Sequence, residues 1–441
     1  MKTQSFQILK AACLMAVLCL PFVVRAQEAD NTFTINAKHV TRGELRHGGF
    51  SSDSLVNERR ANFVLGQLQL DLNYKRSWLE LQVSPKQTFV WGHGSGSLSL
   101  AEAWAQMKSE KGFFAKIGRQ RLAYDDERIL GYDDWTMTAP THDVLKLGYE
   151  GHNHKVHMIL AYNQNADNPD SGITYYANGL QPHKSMQTLW YHYDTPKSLY
   201  GLSLLFMNIG MQNDDPEHPM VYYQQLLGTY MSLKPKYWSL EGAFYYQMGK
   251  QENGIPIDAF LASVKAKFTP NNTYSQYVGY DYLSGDKFFA VPHGGNVGMV
   301  YHDKIRGFNV IYGSHHEFYG SMVFFYLNNY VANFTPGLQN LYLGGTMNPV
   351  KPLNIDAAYH YYAIATDLDY VSTKSLGHAI DISAAYTFSN FTKLSAGYTY
   401  MQGTETMGLL QHVSENPKMH WGWLMLTINP KLFTTTWQDK N

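Results

Sequence analysis

The chain contains very little cysteine and little charge. Its only two cysteines, Cys13 and Cys19, lie close to the amino terminus of the 441-residue sequence. A disulfide framework or a thiolate metal site is therefore excluded for everything that follows them. Charged residues make up 16% of the sequence, against about a quarter in ordinary soluble domains. The formal net charge of −1 also provides no basic excess for binding nucleic acid.

Long hydrophobic runs are equally scarce. Beyond residue 24, no stretch approaches the ~18 consecutive apolar residues that indicate a membrane-spanning helix. The mean hydropathy of the chain is −0.33. These two properties exclude a helical membrane protein. If the chain enters a membrane, it must do so as a closed β-barrel, because only that structure pairs every backbone group without helices.

The amino terminus has the pattern of a secretory signal. Lys2 and Lys10 form a basic region, and the apolar segment 11–24 follows. Small side chains at Val24 and Ala26 match the residues that a signal peptidase reads, which predicts cleavage after Ala26. We therefore predict a signal peptide over residues 1–26 and a mature domain over residues 27–441. A retained anchor is the alternative, but the run is short for a span of about 20 residues.

Aromatic residues are abundant, and apolar and polar side chains alternate along many segments. Aromatics are 15% of the sequence, including 33 tyrosines. Leu68, Leu70 and Leu72 alternate with polar residues, and the same period of two recurs along the chain. Such strands suit a sheet with one lipid face and one wet face. An extracellular β-sandwich is the alternative, but it would bury more leucine, valine and isoleucine than tyrosine. We predict an all-β fold, a single transmembrane antiparallel β-barrel.

Short and long polar connections alternate along the chain. Short ones, such as 75–77 and 110–112, separate long ones, such as 48–60, 85–97 and 122–140. This alternation is typical of outer-membrane barrels with tight periplasmic turns and long outer loops. Both termini then lie in the periplasm, and counting hairpins from each end predicts about 18 strands. Residues 284–337 become one long outer loop. Two further strands inside this loop, giving about 20, are the alternative.

The predicted loop 284–337 is rich in aromatic residues. A loop of this length is usually functional or disordered, and its aromatic clusters at 308–312, 315–319 and 322–326 argue against a solvated tail. We predict that the loop folds into or over the pore and narrows it. The residues assigned to this constriction are His315, His316, Glu317 and Tyr319.

Charged side chains are predicted on the inward face of several strands and in the acidic loop that follows them. The candidate pore-lining residues are Arg42, Arg46, Lys116, Arg119, Arg121, Arg128, Lys265, Lys267 and Asp381. Strict alternation puts Arg119 and Arg121 opposite Lys116, toward lipid headgroups, whereas a β-bulge would turn them inward. We assign both to the lumen. Acids and bases are balanced on the predicted inward faces, which favours a transverse field over a conduit dedicated to polyanions.

Three segments form an ordered set of motifs. The first has GRQ at 118–120, YDD at 124–126 and DW at 134–135; the second has YG at 312–313, FYG at 318–320 and GLQ at 337–339; the third has LGH at 376–378 and AGY at 396–398. In this order they resemble the alginate-export family of outer-membrane barrels, in its Bacteroidetes-type branch. The resemblance implies a pore of about 18 strands and, in the best-known members, passive passage of an anionic polysaccharide. Its first motif also favours the inward assignment of Arg119 and Arg121. Val323 stands where members often carry an acidic residue.

These observations together predict a function. We expect an outer-membrane channel of a Gram-negative bacterium that passively transports polar or anionic solutes, including oligosaccharides and polysaccharides. The expected partners are outer-membrane lipid and lipopolysaccharide, the barrel-assembly machinery and small solutes, with no cofactor, metal or enzymatic activity. A structural or adhesin barrel without transport is the first alternative. An outer-membrane enzyme is the second, since Ser314 lies beside His315 and Glu317, but catalytic triads are recognised by geometry and not by adjacency.

Overall fold

The computed structural model describes residues 30–48, 59–132, 134–167, 169–171, 181–213, 215, 218–287, 303–314, 316–327, 335–369, 371–411 and 416–438. The predicted signal peptide, residues 1–26, lies outside this range. Helix is limited to α1 (Phe324–Leu327), α2 (Glu405–Gln411) and two 3₁₀ turns, Pro169–Ser171 and Pro196–Ser198, within the described residues. No helix in the part of the chain that the structure describes is long and apolar enough to cross a membrane.

The first half of the chain forms nine antiparallel strands. Their bounds are β1 Asn31–His47, β2 Arg60–Lys75, β3 Leu79–Val90, β4 Gly96–Lys108, β5 Phe113–Gln120, β6 His142–Gly151, β7 His154–Tyr162, β8 Ser185–Asp194 and β9 Tyr200–Gln212. Each strand pairs with the next along the chain, as in β1–β2 and β8–β9. Sequential pairing of this kind is an up-and-down meander, which brings the inward side chains of each strand next to those of its neighbours in the sequence.

The second half continues the meander. Its strands are β10 Val221–Leu233, β11 Trp238–Lys250, β12 Pro256–Phe268, β13 Tyr274–Leu283, β14 Leu338–Val350, β15 Leu353–Ala363, β16 Ser375–Ser389, β17 Thr392–Gly403, β18 Lys418–Ile428 and β19 Lys431–Trp437. The connections at one end of the barrel are short turns, such as 76–78 and 351–352. Those at the other end include the long loops 121–141, 163–184 and 284–337. We refer to these as the short-turn end and the long-loop end.

The sheet closes on β1. β18 pairs with the second half of β1 and β19 pairs with its first half, both antiparallel. The two segments are therefore one strand line, interrupted at Pro430, which lacks the N–H that a ladder needs. A register shift between Ile35 and Asn36 accommodates the break, and Ala37 N donates to Pro430 O at 3.0 Å. The barrel consequently has 18 strand lines, as predicted, and the alternative of about 20 is wrong.

The barrel is polar inside and apolar outside. Ile380 and Ile382 on β16 are 49% and 51% exposed on the outer face, and Val264 on β12 is 59% exposed. Asp381, between the two isoleucines, points inward and is only 6% exposed. A soluble β-sandwich would show the opposite arrangement, with its isoleucines packed in a shared interior. This inversion excludes the sandwich and is the arrangement expected of a sheet that faces lipid.

The outward face gives a first test of this orientation. We expect Ile382→Lys to destabilise the folded barrel by about 2–4 kcal/mol, because a cation near the bilayer midplane loses its hydration. Urea titration of the protein in lipid vesicles measures this difference. Ser383→Lys is the matched control, since Ser383 is the next residue on β16 and faces the interior. A cost that is equal at both positions would contradict the assignment of faces.

One predicted connection differs from the structure. Residues 85–97 were expected to form a long outer loop, but β3 and β4 extend through most of this segment and leave only residues 91–95 between them. Pro85 does not end β3 because it lies at a register shift between Ser84 and Pro85, where the pairing with β4 is already broken. A proline at a bulge removes no ladder hydrogen bond, so the strand continues past it.

Candidate functional site

Loop 121–141 lies inside the barrel and contacts inward side chains on widely separated strands. At one point, the Asp125 carboxylate accepts hydrogen bonds from Trp190 Nε1 of β8 at 3.1 Å and from the Ser203 hydroxyl of β9. At another, Asp134 forms ion pairs with Lys38 of β1 at 2.6 Å and Lys86 of β3 at 3.3 Å. Because β1 and β9 are far apart around the barrel, the loop spans the interior.

The pKa values of Asp125 and Asp134 are shifted in opposite directions by their surroundings. Burial raises the pKa of Asp125 to about 6, although the Ser203 and Trp190 hydrogen bonds favour its ionised form. Burial alone would also raise the pKa of Asp134, but the ammonium groups of Lys38 and Lys86 hold it below its ordinary value. Asp134 is therefore ionised and anchors the loop through its two ion pairs. Asp125 becomes protonated, and so neutral, when the pH falls below about 6.

Arg128 is the most heavily bonded residue of loop 121–141. Its guanidinium lies 3.1 Å from Asp126 of the same loop and 3.1 Å from Asp281 of β13. It also donates to the Ser263 hydroxyl of β12 at 3.0 Å and to the Tyr319 hydroxyl at 3.2 Å. The side chain is almost fully buried, so these partners replace the water that the charge has lost. Arg128 thus fastens the loop to the barrel wall and to loop 284–337.

The described parts of loop 284–337, residues 284–287, 303–314, 316–327 and 335–337, also pack inside the barrel. Gly131 N donates to Tyr312 O at 2.9 Å, and Ser314 N donates to Glu127 O at 2.8 Å, so the two loops are joined through their backbones. Ser321 N donates to Asp381 of β16 at 3.0 Å. Within these described residues the loop contains no strand and a single helical turn, α1. Its aromatic side chains form the apolar filling between the loops and the wall.

A stacked group of side chains joins the two loops to β1 and β18. The rings of Trp135 and His316 are parallel within 8°, with their centroids 3.8 Å apart. The guanidinium of Arg42 lies 3.8 Å from the centroid of the Trp135 ring, and Trp421 packs edge-on at 5.4 Å. Burial, followed by the nearby charge of Arg42, lowers the pKa of His316 to about 3, so this imidazole is neutral at physiological pH.

A cavity of about 530 Å³ lies beneath the joined loops, and we call it the chamber. Its roof consists of Asp125, Asp126 and Arg128 of one loop and residues 316–321 of the other, and its wall consists of inward residues of β10–β16. We call the part of the wall toward the short-turn end of those strands the lower wall; it contains Glu241, Lys265, Tyr277 and Asp356. The chamber is therefore an internal space of the barrel that is covered on its long-loop side.

Several predicted pore residues lie in the interior, and most are held in ion pairs. Glu44 bonds both Arg42 and Arg46 at 2.7 Å, and the Trp421 indole donates to the same carboxylate at 2.9 Å. Lys116 lies 3.5 Å from the centroid of the Trp104 ring. Glu44 therefore offsets one of the two positive charges of these arginines and fixes the position of both guanidiniums.

The remaining predicted residues are divided between the chamber and other positions. Lys265 and Asp381 line the chamber, whereas Lys267 shares the inward face of β12 but does not line it. In the constriction loop, His316, Glu317 and Tyr319 form part of the chamber roof. His315 lies outside the described residues.

The assignment of Arg119 to the lumen is wrong. Arg119 lies on the outer face of β5 with Ile117, and it forms a two-point ion pair with Asp143 of β6, at 2.8 and 2.9 Å. Strict alternation holds up to Gln120, and no bulge turns Arg119 inward. Arg121 follows the last residue of the strand, and there the chain turns into the barrel, so its guanidinium lies 2.9 Å from the inward Glu102.

The sequence interpretation missed that loop 121–141 is internal. The sequence assigns charges of this loop to the pore without predicting that the loop folds inside the barrel, and it does not identify the partners Lys86, Ser203 and Ser263. One signal was present, since Leu122, Ile129 and Leu130 interrupt the charges and are all buried in the structure. A loop that only surrounds a pore mouth has no need of three aliphatic side chains among its carboxylates.

A closed 18-strand barrel with an apolar outer face, a charged interior and two loops folded inside it defines an outer-membrane channel. The family model described as alginate export matches residues 95–395, and the chain belongs to this family. The protein is accordingly located in the outer membrane of a Gram-negative bacterium. A search of curated proteins found no match.

Solved structures of Pseudomonas aeruginosa porins share the fold. OccK9 (OpdG) superposes with a TM-score of 0.61 at 11% identity, covering 91% of this chain and 98% of that one. OccK2 (OpdF), solved in complex with glucuronate, has a TM-score of 0.60 at 13% identity, covering 90% and 98%. OpdK with vanillate has a TM-score of 0.58 at 12% identity, covering 91% and 99%. At these identities the likeness shows the fold.

Proposed function

We propose that this protein is a passive diffusion channel for small polar solutes, in particular sugars and short oligosaccharides. The chamber is the observation that supports the proposal most strongly. Its volume of about 530 Å³ lies within the range of about 300–1,000 Å³ that small-molecule sites occupy. Its lining combines carboxylates, amides and hydroxyls with tyrosine rings, which are the groups that exchange hydrogen bonds with sugar hydroxyls as the solute sheds water.

Anionic solutes, expected from the family resemblance, have weaker support in this chain. The structures of OccK2 with glucuronate and OpdK with vanillate associate carboxylate compounds with similar barrels. In this protein, however, the guanidiniums of Arg42 and Arg46 share Glu44, and the ammoniums of Lys38 and Lys86 share Asp134, so half of these four positive charges are offset. A path for a polyanion needs bases whose charge is available to each carboxylate that passes.

Two measurements on the purified protein test the channel. In planar bilayers we expect discrete current steps, and in liposomes we expect swelling when a neutral monosaccharide is the external osmolyte. Protein-free liposomes and a dextran too large for the chamber serve as controls that should give no protein-dependent swelling. Correctly folded protein that gives neither current steps nor swelling would instead favour the structural or adhesin barrel, which needs only its surface loops.

A further inference from the structure

The charges of the chamber are strongly unequal. Seven carboxylates line it against two bases, Arg128 and Lys265. Its two histidines do not restore the balance. Burial and the neighbouring Arg42 keep His316 neutral at physiological pH. His360 lies 3.6 Å from Asp381, and even in its protonated form it would offset only that one carboxylate. The chamber therefore differs from the chain as a whole, whose formal net charge is only −1.

The acids of the lower wall form no ion pairs with described residues, although Lys265 is the register partner of Glu241 across β11 and β12. Asp356 of β15 accepts hydrogen bonds from the Thr346 hydroxyl at 2.8 Å and the Tyr277 hydroxyl at 3.3 Å, and it forms no ion pair with any described residue. Glu241 of β11 accepts a hydrogen bond from the Ser239 hydroxyl at 3.1 Å and likewise has no ion pair in the described part of the chain. Hydroxyl partners orient a carboxylate without removing its charge, so both keep their negative potential.

Most of the bases on the opposite side of the barrel, by contrast, are held in ion pairs. Lys38, Lys86, Arg42, Arg46 and Arg121 all have carboxylate partners within 3.3 Å. Glu44 and Asp134 each serve two of these bases, and Lys116 and Lys146 form no ion pair among the described residues, so this side keeps some positive charge. The excess of carboxylates is therefore a property of the chamber and not of the whole interior. Acidic rings in a narrow, low-dielectric path concentrate cations and exclude anions.

Aromatic rings in the chamber already hold cations. The ammonium of Lys265 lies 5.2 Å from the centroid of the Tyr277 ring, and the guanidinium of Arg128 lies 4.1 Å from that of Phe318. Tyr230 and Tyr342 also line the cavity. Aromatic faces attract ammonium groups, and the attraction increases where water is excluded. The chamber therefore has both the charge and the ring surfaces that recognise a protonated amine.

We propose that the chamber makes this channel cation-selective, with Asp356 and Glu241 as the residues that determine the preference, and that it favours polar solutes carrying a protonated amine, such as amino sugars, over sugar acids. The proposal rests on the channel function stated above and narrows its solute class. It is opposite in sign to the anionic solutes that the family resemblance implies. The preference follows from the net charge of the chamber lining and needs no tight binding.

Reversal potentials in a KCl gradient test the proposal. We expect wild-type protein to pass K⁺ several-fold better than Cl⁻, and both Asp356→Asn and Glu241→Gln to reduce this ratio at least twofold. Lys265→Gln should increase it. The matched control is Asp143→Asn, which removes one carboxylate from the outer face of β6, where its partner is Arg119. That variant should keep the wild-type ratio, because its charge lies outside the conducting space.

Solute entry supplies an independent readout. Liposome swelling at neutral pH should be faster with glucosamine than with N-acetylglucosamine, and slowest with glucuronate. Asp356→Asn should reduce the differences between these three swelling rates. Preference for Cl⁻ over K⁺, faster entry of glucuronate, or unchanged selectivity in both chamber variants would overturn the inference while leaving the channel intact. A wild-type protein without any current would overturn the channel proposal, and this inference with it.

Discussion

Arg128→Met is expected to raise single-channel conductance several-fold. Methionine keeps much of the side-chain volume but removes the charge that links loop 121–141 to Ser263 and Asp281 of the wall and to Tyr319 of the second loop. Asp281 would then be left as a buried carboxylate without its cation. Breaking a buried pair by removing one partner costs about 3–5 kcal/mol. We expect this free energy to destabilise the docked conformation of the loops and not the barrel, because the strand ladder does not depend on Arg128.

Planar-bilayer recording measures the conductance, and limited proteolysis of the folded protein reports release of the loops. Arg119→Met is the matched control, because it removes the same charge from the same region of the sequence, but on the outer face of β5. We expect the control to conduct like the wild type. If the two variants have the same conductance and the same proteolysis pattern, Arg128 does not hold the loops in place, and other contacts must keep them inside the barrel.

The barrel itself is predictable from sequence for a simple physical reason. Lipid on one side and water on the other impose a period of two on every strand. The orientation of Ile380, Asp381 and Ile382 can therefore be predicted from these neighbouring residues alone. The even number of strands follows because both ends of the chain were expected on the same side of the membrane. Closure at β18 and β19 then needs only the interruption at Pro430, which the sequence displays.

The contacts inside the barrel, by contrast, cannot be predicted from neighbouring residues in the sequence. Strands β6–β12 separate Arg128 from Asp281 in the sequence, and no periodicity predicts that the two residues form an ion pair at 3.1 Å. The same holds for Asp134 with Lys38 and Lys86. Loops obey no repeating pattern, so their position depends on which distant side chains satisfy their charges.

Arg119 illustrates a conflict between two kinds of evidence. The motif of the family resemblance favoured an inward side chain, whereas alternation along β5 favoured an outward one. The structure agrees with alternation, because each residue of β5 from Phe113 to Gln120 pairs in unbroken register with β6. Where a strand has no bulge, the period of two decides the face, and a shared motif does not override it.

Removal of the inner part of loop 284–337 is expected to have the largest effect on conductance. We predict that replacing residues 287–334 by two glycines raises it several-fold, because the deletion removes residues 316–321 from the chamber roof and the contacts with loop 121–141. The ends of the cut are already adjacent, since Asp286 N donates to Thr335 O at 2.6 Å. They also remain held by Ala365, whose N–H donates to Pro336 O at 3.1 Å.

The strand pair β13–β14 should survive this deletion, because its ladder runs from Tyr274 with Met347 to Leu283 with Leu338 and uses none of the removed residues. Replacing residues 214–219, in the connection between β9 and β10, by the same two glycines provides the control, which should leave conductance unchanged. Single-channel recording of both variants separates a general effect of loop shortening from an effect of this loop. Equal conductance in the wild type and the long-loop deletion would mean that loop 284–337 does not narrow the channel. A wide and poorly selective pore in the deletion variant would show that the chamber needs its roof to discriminate between ions.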